Sequence, residues 1–176
     1  MLKKIKSFIL AVIIFFLIPS LVNCSKPETV KDEYYTYTLL ADGTYSVKAT
    51  NIENVPRVVE LPAIFNGRIV STVEKKGFSG CLTMEELVLS EKMEHIGVEA
   101  FRKCSNLSFI TMGCPDIGFG NGAFAQCSTL VSIKYSGTMA EWKKILRASN
   151  WDYKTGNYGV YCLDGALDKN NEIIVW

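Results

Sequence analysis

The chain has 176 residues, 48% hydrophobic and 21% charged, with a formal net charge of +1. That length allows one domain and a short targeting segment, and the composition is globular rather than disordered. Without Lys3, Lys4 and Lys6 near the N-terminus, 16 of the 19 basic residues face 18 acidic ones, about −2. This balance excludes a nucleic-acid surface, which needs clustered surplus cations.

Residues 1–23 have the layout of an export signal. Lys3, Lys4 and Lys6 make a positive start, and Phe8 to Ile18 is an apolar run of 11 residues ended by Pro19-Ser20. A membrane-spanning helix needs roughly 20 apolar residues, so the run suits a signal peptide better. Leu21-Val22-Asn23-Cys24 resembles the lipobox of bacterial lipoproteins, with Asn23 where that motif usually has Gly, Ala or Ser. The resemblance implies lipidation of Cys24 and a membrane anchor worth about 0.8 kcal/mol per buried CH₂. Residues 24–33 then form a tether. An ordinary cleaved signal or an uncleaved anchor are the alternatives these residues leave open.

Residues 34–72 read as an N-terminal hairpin cap and a degenerate first repeat. Asp42-Gly43 separates Tyr37-Thr38-Leu39 from Tyr45-Ser46-Val47, and Asn66-Gly67 separates Ala63-Ile64-Phe65 from Arg68-Ile69-Val70. Both are two-residue hairpin signals.

Self-similarity governs residues 73–136. Phe78, Phe101 and Phe124 are spaced by 23, as are Cys81, Cys104 and Cys127. Met84/Leu107/Leu130, Leu87/Ile110/Ile133, Leu89/Met112/Tyr135 and Val73/Ile96/Phe119 keep the same step. The L-x-x-L-x-L spacing and the period are those of leucine-rich repeats. One unit cannot bury its own apolar face, so the copies must stack into continuous ladders. The segments Glu86–Leu89, Phe109–Met112 and Ser132–Tyr135 are expected to pair in parallel on a concave sheet of about three and a half turns.

Residues 137–176 read as a C-terminal cap of helix plus hairpin. Thr138-Met139-Ala140-Glu141 is a capping box before an apolar stripe of Met139, Trp142, Ile145 and Leu146. Lys143, Lys144 and Arg147 are then expected to face solvent.

Gly97-Val98-Glu99-Ala100-Phe101-Arg102-Lys103-Cys104-Ser105-Asn106-Leu107 resembles the core of BspA-like, or treponemal-type, leucine-rich repeats. Gly122–Leu130 is a second copy, and Lys76–Cys81 a drifted one. The Gly137-Thr138-x-x-Glu141-Trp142-x-x-Ile145 block and Val160-Tyr161-Cys162-Leu163-Asp164-Gly165 resemble that family's C-terminal elements. The resemblance implies a buried free-thiol ladder of Cys81, Cys104 and Cys127 beside the Phe78, Phe101, Phe124 ladder. It also implies a surface lipoprotein that adheres to host matrix or to other cells.

Catalytic motifs find no support. His95 is the single histidine and is expected in a surface turn, with no nucleophile elbow placed near it. Gly118-Phe119-Gly120-Asn121-Gly122-Ala123 mimics a dinucleotide fingerprint, but Gly120 and Ala123 repeat Gly97 and Ala100. Asp164, Asp168 and Asn170 match no calcium loop and read as turn residues. No Cys/His set has metal-ligand spacing, and a Cys114–Cys162 disulfide stays open. The chain is therefore read as a non-enzyme without cofactor or metal.

Strand alternation places Val58, Glu86, Phe109 and Ser132 in one outward row, and Glu60, Val88, Thr111 and Lys134 in the next. An apolar centre of Val58, Val88 and Phe109 with a rim of Glu60, Glu86 and Lys134 suits a small protein interface. The expected partner is a host or bacterial surface protein, and the expected location is an outer membrane or cell surface. The alternatives are a periplasm-facing structural or assembly lipoprotein, and a carbohydrate-binding module built on Tyr34, Tyr35, Tyr37 and Tyr45.

Overall fold

The computed structural model describes residues 27–114 and 116–175, so the export signal and Cys24 lie outside the described residues. Strands β1 (Thr29–Lys31), β2 (Tyr35–Leu39) and β3 (Tyr45–Ala49) pair antiparallel in chain order. Part of the expected tether is therefore sheet: Thr29 stands opposite Thr38. Asp42 accepts from the Thr44 amide at 2.9 Å, and Gly43 takes a φ of +84°. Both Asn66 and Gly67 have positive φ, which lets a two-residue loop turn between β5 (Ile64–Phe65) and β6 (Arg68–Val73).

The repeats give two parallel ladders rather than one. β4 (Val58–Glu60), β7 (Glu86–Leu89), β9 (Phe109–Met112), β11 (Ser132–Tyr135) and β13 (Gly159–Cys162) run side by side. β14 (Gly165–Leu167) closes this sheet antiparallel. In the other sheet β3 and β6 continue through the two-residue strands β8 (His95–Ile96), β10 (Gly118–Phe119) and β12 (Leu146–Arg147). The first ladder thus counts five parallel strands among the described residues, more than three and a half turns.

Between the sheets lie the ladders that the period placed. Phe78, Phe101 and Phe124 stack face to face, with centroids 5.3 and 5.1 Å apart. Tyr35 meets Phe78 at one end and Trp151 meets Phe124 at the other. The thiols of Cys104 and Cys127 donate to the Phe78 and Phe101 carbonyls at 3.1 and 3.2 Å, so each cysteine satisfies a backbone acceptor one turn back. Asn106 does the same on the outside, donating to the Leu82 carbonyl at 2.6 Å.

Gly97 and Gly120 owe their place to close approach. A Cβ on Gly97 would lie 2.7 Å from the Val73 carbonyl oxygen, and one on Gly120 would lie 2.8 Å from the Val98 nitrogen. The apparent dinucleotide fingerprint is thus backbone packing between turns.

After β11 the period breaks. Phe124 donates to the Trp151 carbonyl where Phe101 donates to Ala123, so the last step is 27 residues instead of 22 on the same hydrogen-bond pattern. The extra length holds α1 (Met139–Lys144), capped by Thr138 and Glu141 in a reciprocal box. The helix is shorter than the apolar stripe suggested. Leu146 leaves it for β12 and is 79% exposed. Arg147 is no solvent-facing lysine analogue: its guanidinium lies 4.2 Å from the Trp142 ring centroid and donates to the Trp142 carbonyl. Among the described residues no helix is long and apolar enough to cross a membrane.

Candidate functional site

The outward face of the β4–β7–β9–β11–β13 sheet carries the residues that alternation singled out. Register places Val58, Glu86, Phe109 and Ser132 in one row, and Glu60, Val88, Thr111 and Lys134 in the next. Both rows extend one strand further, to Gly159 and Tyr161. Val59, Leu87, Ile110, Ile133 and Val160 between them are buried, so the face has a rigid apolar backing.

Phe109 is 50% exposed and Val58 47%, large values for apolar side chains on a packed sheet. They are not adjacent: Glu86 separates them in the row. Glu60, Glu86 and Lys134 make no ion pair among the described residues. The face therefore runs from acidic at β4 and β7, through apolar at β9, to basic at β11.

A groove of about 700 Å³ borders this face at the N-terminal ends of the strands. Val58, Glu86 and Phe109 line it, together with Arg57, Glu85 and Asn106, which alternation did not reach. Arg57 and Glu85 pair at 2.6 Å across the mouth. The signal for them lay in the register, because each precedes a strand by one residue and the backbone brings Glu85 to the Arg57 carbonyl at 2.8 Å. Tyr161 was also missed, since the longer last turn hides it from a search at period 23. Its ring lies over Gly159, where an added Cβ would sit 3.2 Å from it.

Other candidates resolve into structure. His95 is exposed on β8, paired with Thr72 and Gly118, so it is a strand residue and not a turn residue. Asp168 accepts the Asn170 and Glu172 amides, as a turn residue does, while Asp164 accepts the amide of Met139, the first residue of α1. Cys81, Cys104, Cys114, Cys127 and Cys162 are free thiols. A hydrogen bond with Cys127 and burial push the Cys104 thiol far up, and burial pushes Cys114 up to about 11. Neither is a nucleophile, since the thiolate is the reactive form. Among the described residues no group of three His, Cys, Asp or Glu could hold a metal ion.

The carbohydrate platform of the N-terminal hairpin does not exist as such. Tyr35, Tyr37 and Tyr45 are 7%, 1% and 4% exposed, and Tyr37 stacks on Phe65 at 3.7 Å. These three tyrosines are core and offer no free ring for a sugar, and Tyr34, the fourth, is partly buried against that core.

Stacked 23-residue units with two parallel ladders and a thiol column define a leucine-rich-repeat solenoid. The chain belongs to the BspA type leucine rich repeat region family, whose profile matches residues 58–146 in six copies. Repeats of this family are protein-interaction modules. Among solved structures, a leucine-rich repeat protein from Bacteroides capillosus is 23% identical with a TM-score of 0.59, over 76% of this chain and 97% of that one. A leucine rich cell surface protein from Faecalibacterium prausnitzii is 20% identical with a TM-score of 0.56, over 77% of this chain and 43% of that one. The T. pallidum leucine-rich repeat protein is 21% identical with a TM-score of 0.49, over 62% of this chain and 54% of that one. The chain thus spans about half the length of these last two. No curated protein matches the sequence.

Proposed function

We propose that the chain is an exported, lipid-anchored, non-catalytic binding module that presents its five-strand face to a protein on host matrix or on a neighbouring cell. The observation that carries this reading is Phe109, half exposed at the centre of a face with a buried backing and unpaired charges of opposite sign on its two sides. Such an arrangement, an apolar centre with a polar rim, is what a protein interface needs. The anchor is Cys24, through the lipobox resemblance of Leu21 to Cys24.

The face is small. Five strands about 4.8 Å apart and four residues long cover roughly 300 Å², well below the roughly 800 Å² per partner of a standard interface. Many anchored copies acting together compensate through effective concentration. Mass spectrometry of the N-terminal peptide from native membranes, with protease shaving of whole cells, tests the anchor and its side. A diacylated Cys24 on a shaved domain supports the reading, and a protected domain turns it into a periplasm-facing protein. Binding of whole cells to immobilised extracellular-matrix proteins tests the face. The double variant Phe109→Asp, Lys134→Glu is expected to lose it, and a folded double variant that binds as before removes the face from the proposal.

A further inference from the structure

A second site lies among the turns that join the two sheets, where one column of the solenoid runs Arg102, Ala125, Tyr153. The backbone fixes this column: these carbonyls accept from Gly80, Lys103 and Gln126 at 2.7, 2.9 and 2.8 Å. A neighbouring column runs Lys76, Glu99, Gly122, all three at left-handed φ of 58°, 56° and 64°. In the middle turn, Gly122 and Ala125 thus stand where the preceding turn carries Glu99 and Arg102. Small residues between larger ones leave a slot of about 240 Å³, bounded by Glu99 and Arg102 on one side and by Asn150 and Tyr153 on the other. Turns spaced by about 4.8 Å put the two walls roughly 10 Å apart.

The chemistry of the slot is specific. Tyr153 is 55% exposed, so its ring presents an apolar face. Glu99 and Arg102 are the charged residues that line the slot and they pair with each other, so the lining itself is polar and neutral. Lys76 on Glu99 and Lys154, 5.3 Å from the Tyr153 ring centroid, make its surround basic. The Gln126 Oε1 is buried and has no partner among the described residues. An unmet buried acceptor costs about 1–3 kcal/mol until a donor reaches it. The amide of Asn121 and the guanidinium of Arg102 add donors at the same opening.

We propose that this slot binds one neutral pyranose ring of a glycan. A sugar meets each feature: its C–H face stacks on Tyr153, one hydroxyl donates to Gln126 Oε1, and others accept from Arg102 and Asn121. The volume is below the range of about 300–1,000 Å³ for drug-sized ligands, which limits the site to a single ring. A cationic ligand is disfavoured by Arg102, Lys76 and Lys154 around the slot. A flat base stacked on Tyr153 would leave half the width unfilled, whereas a puckered ring with its hydroxyls spans more of it. The slot shares no residue with the five-strand face, and its residues are not the tyrosines of the N-terminal hairpin.

The test is saturation-transfer NMR on the full chain in zwitterionic micelles, with the methyl glycosides of glucose, galactose, mannose and N-acetylglucosamine as probes. At least one probe is expected to show transfer to its ring protons, and Tyr153→Ala and Gly122→Glu are each expected to weaken it at least tenfold. Gly122→Glu places in the slot the residue that Glu99 supplies one turn earlier at nearly the same φ, so it costs only the left-handed penalty of about 1–2 kcal/mol and the fold survives it. A cooperative thermal unfolding transition by circular dichroism, lowered by no more than that penalty, checks this. Silence from all four probes, or transfer that persists in Gly122→Glu, overturns the proposal. The Phe109→Asp, Lys134→Glu variant should leave the glycoside signal intact, so failure of the protein-binding reading is seen separately.

Discussion

Phe101 and Phe124 stack with ring centroids 5.1 Å apart and planes 6° from parallel, one turn of the solenoid on the next. Phe101 touches Phe78 on its other side and is fully buried. Phe101→Ala is expected to cost about 3–5 kcal/mol, the range for an emptied aromatic core position. Phe109→Ala, the same change at the half-exposed face, should stay within about 0.5 kcal/mol. Urea denaturation of the two variants separates a ladder residue from a binding residue, and equal losses would contradict that division.

The two glycine classes should respond differently to alanine. Gly97 and Gly120 are held by contact with the preceding turn, where an added Cβ meets backbone at 2.7 and 2.8 Å. Neither strand can yield without breaking the short ladder, so Gly120→Ala should cost about 2–3 kcal/mol. Gly80 has open space around it and a φ of +78°. Gly80→Ala should cost only the left-handed penalty of about 1–2 kcal/mol, and Lys103 and Gln126 already take left-handed φ of 62° and 65° one and two turns on. Denaturation midpoints compare the pair.

What the sequence made legible follows from periodicity. The rows from Glu86 to Ser132 and from Val88 to Lys134 stand in register because period two and period 23 over-determine them, while Val58 and Glu60 join them at a step of 28. The second parallel ladder escaped because two-residue strands such as His95–Ile96 carry no alternation to detect. Tyr161 and Arg147 escaped because the inserted helix shifts the last turn out of step. The burial of Tyr35, Tyr37 and Tyr45 was readable in principle. With Val47 they alternate along β2 and β3 and share one face. Reading them as a sugar platform overlooked that the same face must cover the first turn.

Alkaline pH should destabilise the fold through its buried tyrosines, those of the N-terminal hairpin among them. Burial, with the Asp32 charge adding to it, pushes the Tyr35 hydroxyl up to about 12 from its usual 10. Burial and Asp32 push Tyr37 in the same direction. A raised folded value means that the stabilising contribution is complete below about pH 10, where both states keep the proton. It is lost as pH rises toward 12, because the unfolded chain ionises and the folded one resists. Urea titrations at pH 8 to 11.5 should show a plateau and then a decline, and Tyr35→Phe should soften the decline. A flat profile to pH 11.5 would be inconsistent with buried phenols.

Arg147 tests the C-terminal element. It stacks on Trp142 at 4.2 Å and lies 5.7 Å from the Trp151 centroid, and Trp142 is 1% exposed beneath it. A desolvated cation–π contact contributes about 2 kcal/mol, and the side-chain stem also covers the indole. Arg147→Ala should therefore lower stability by about 2–3 kcal/mol and shift tryptophan emission to the red. A freely solvated arginine would change neither by more than about 0.5 kcal/mol.

Thiol counting reports on the anchor without a binding partner. The chain has six cysteines, of which five lie among the described residues as free thiols. Cys81, Cys104, Cys114 and Cys127 are 0–1% exposed, while Cys162 is half-buried. In the folded protein Cys162 should be the one of the five described cysteines that reacts promptly with a thiol reagent, because the other four open only with the fold. In guanidinium all accessible sulfurs react, and lipidation converts the Cys24 thiol to a thioether that cannot. Protein from native membranes should then titrate five thiols, and protein made without the lipidation machinery six. Six from native membranes would remove the anchor from the proposed function and leave the solenoid and its face intact.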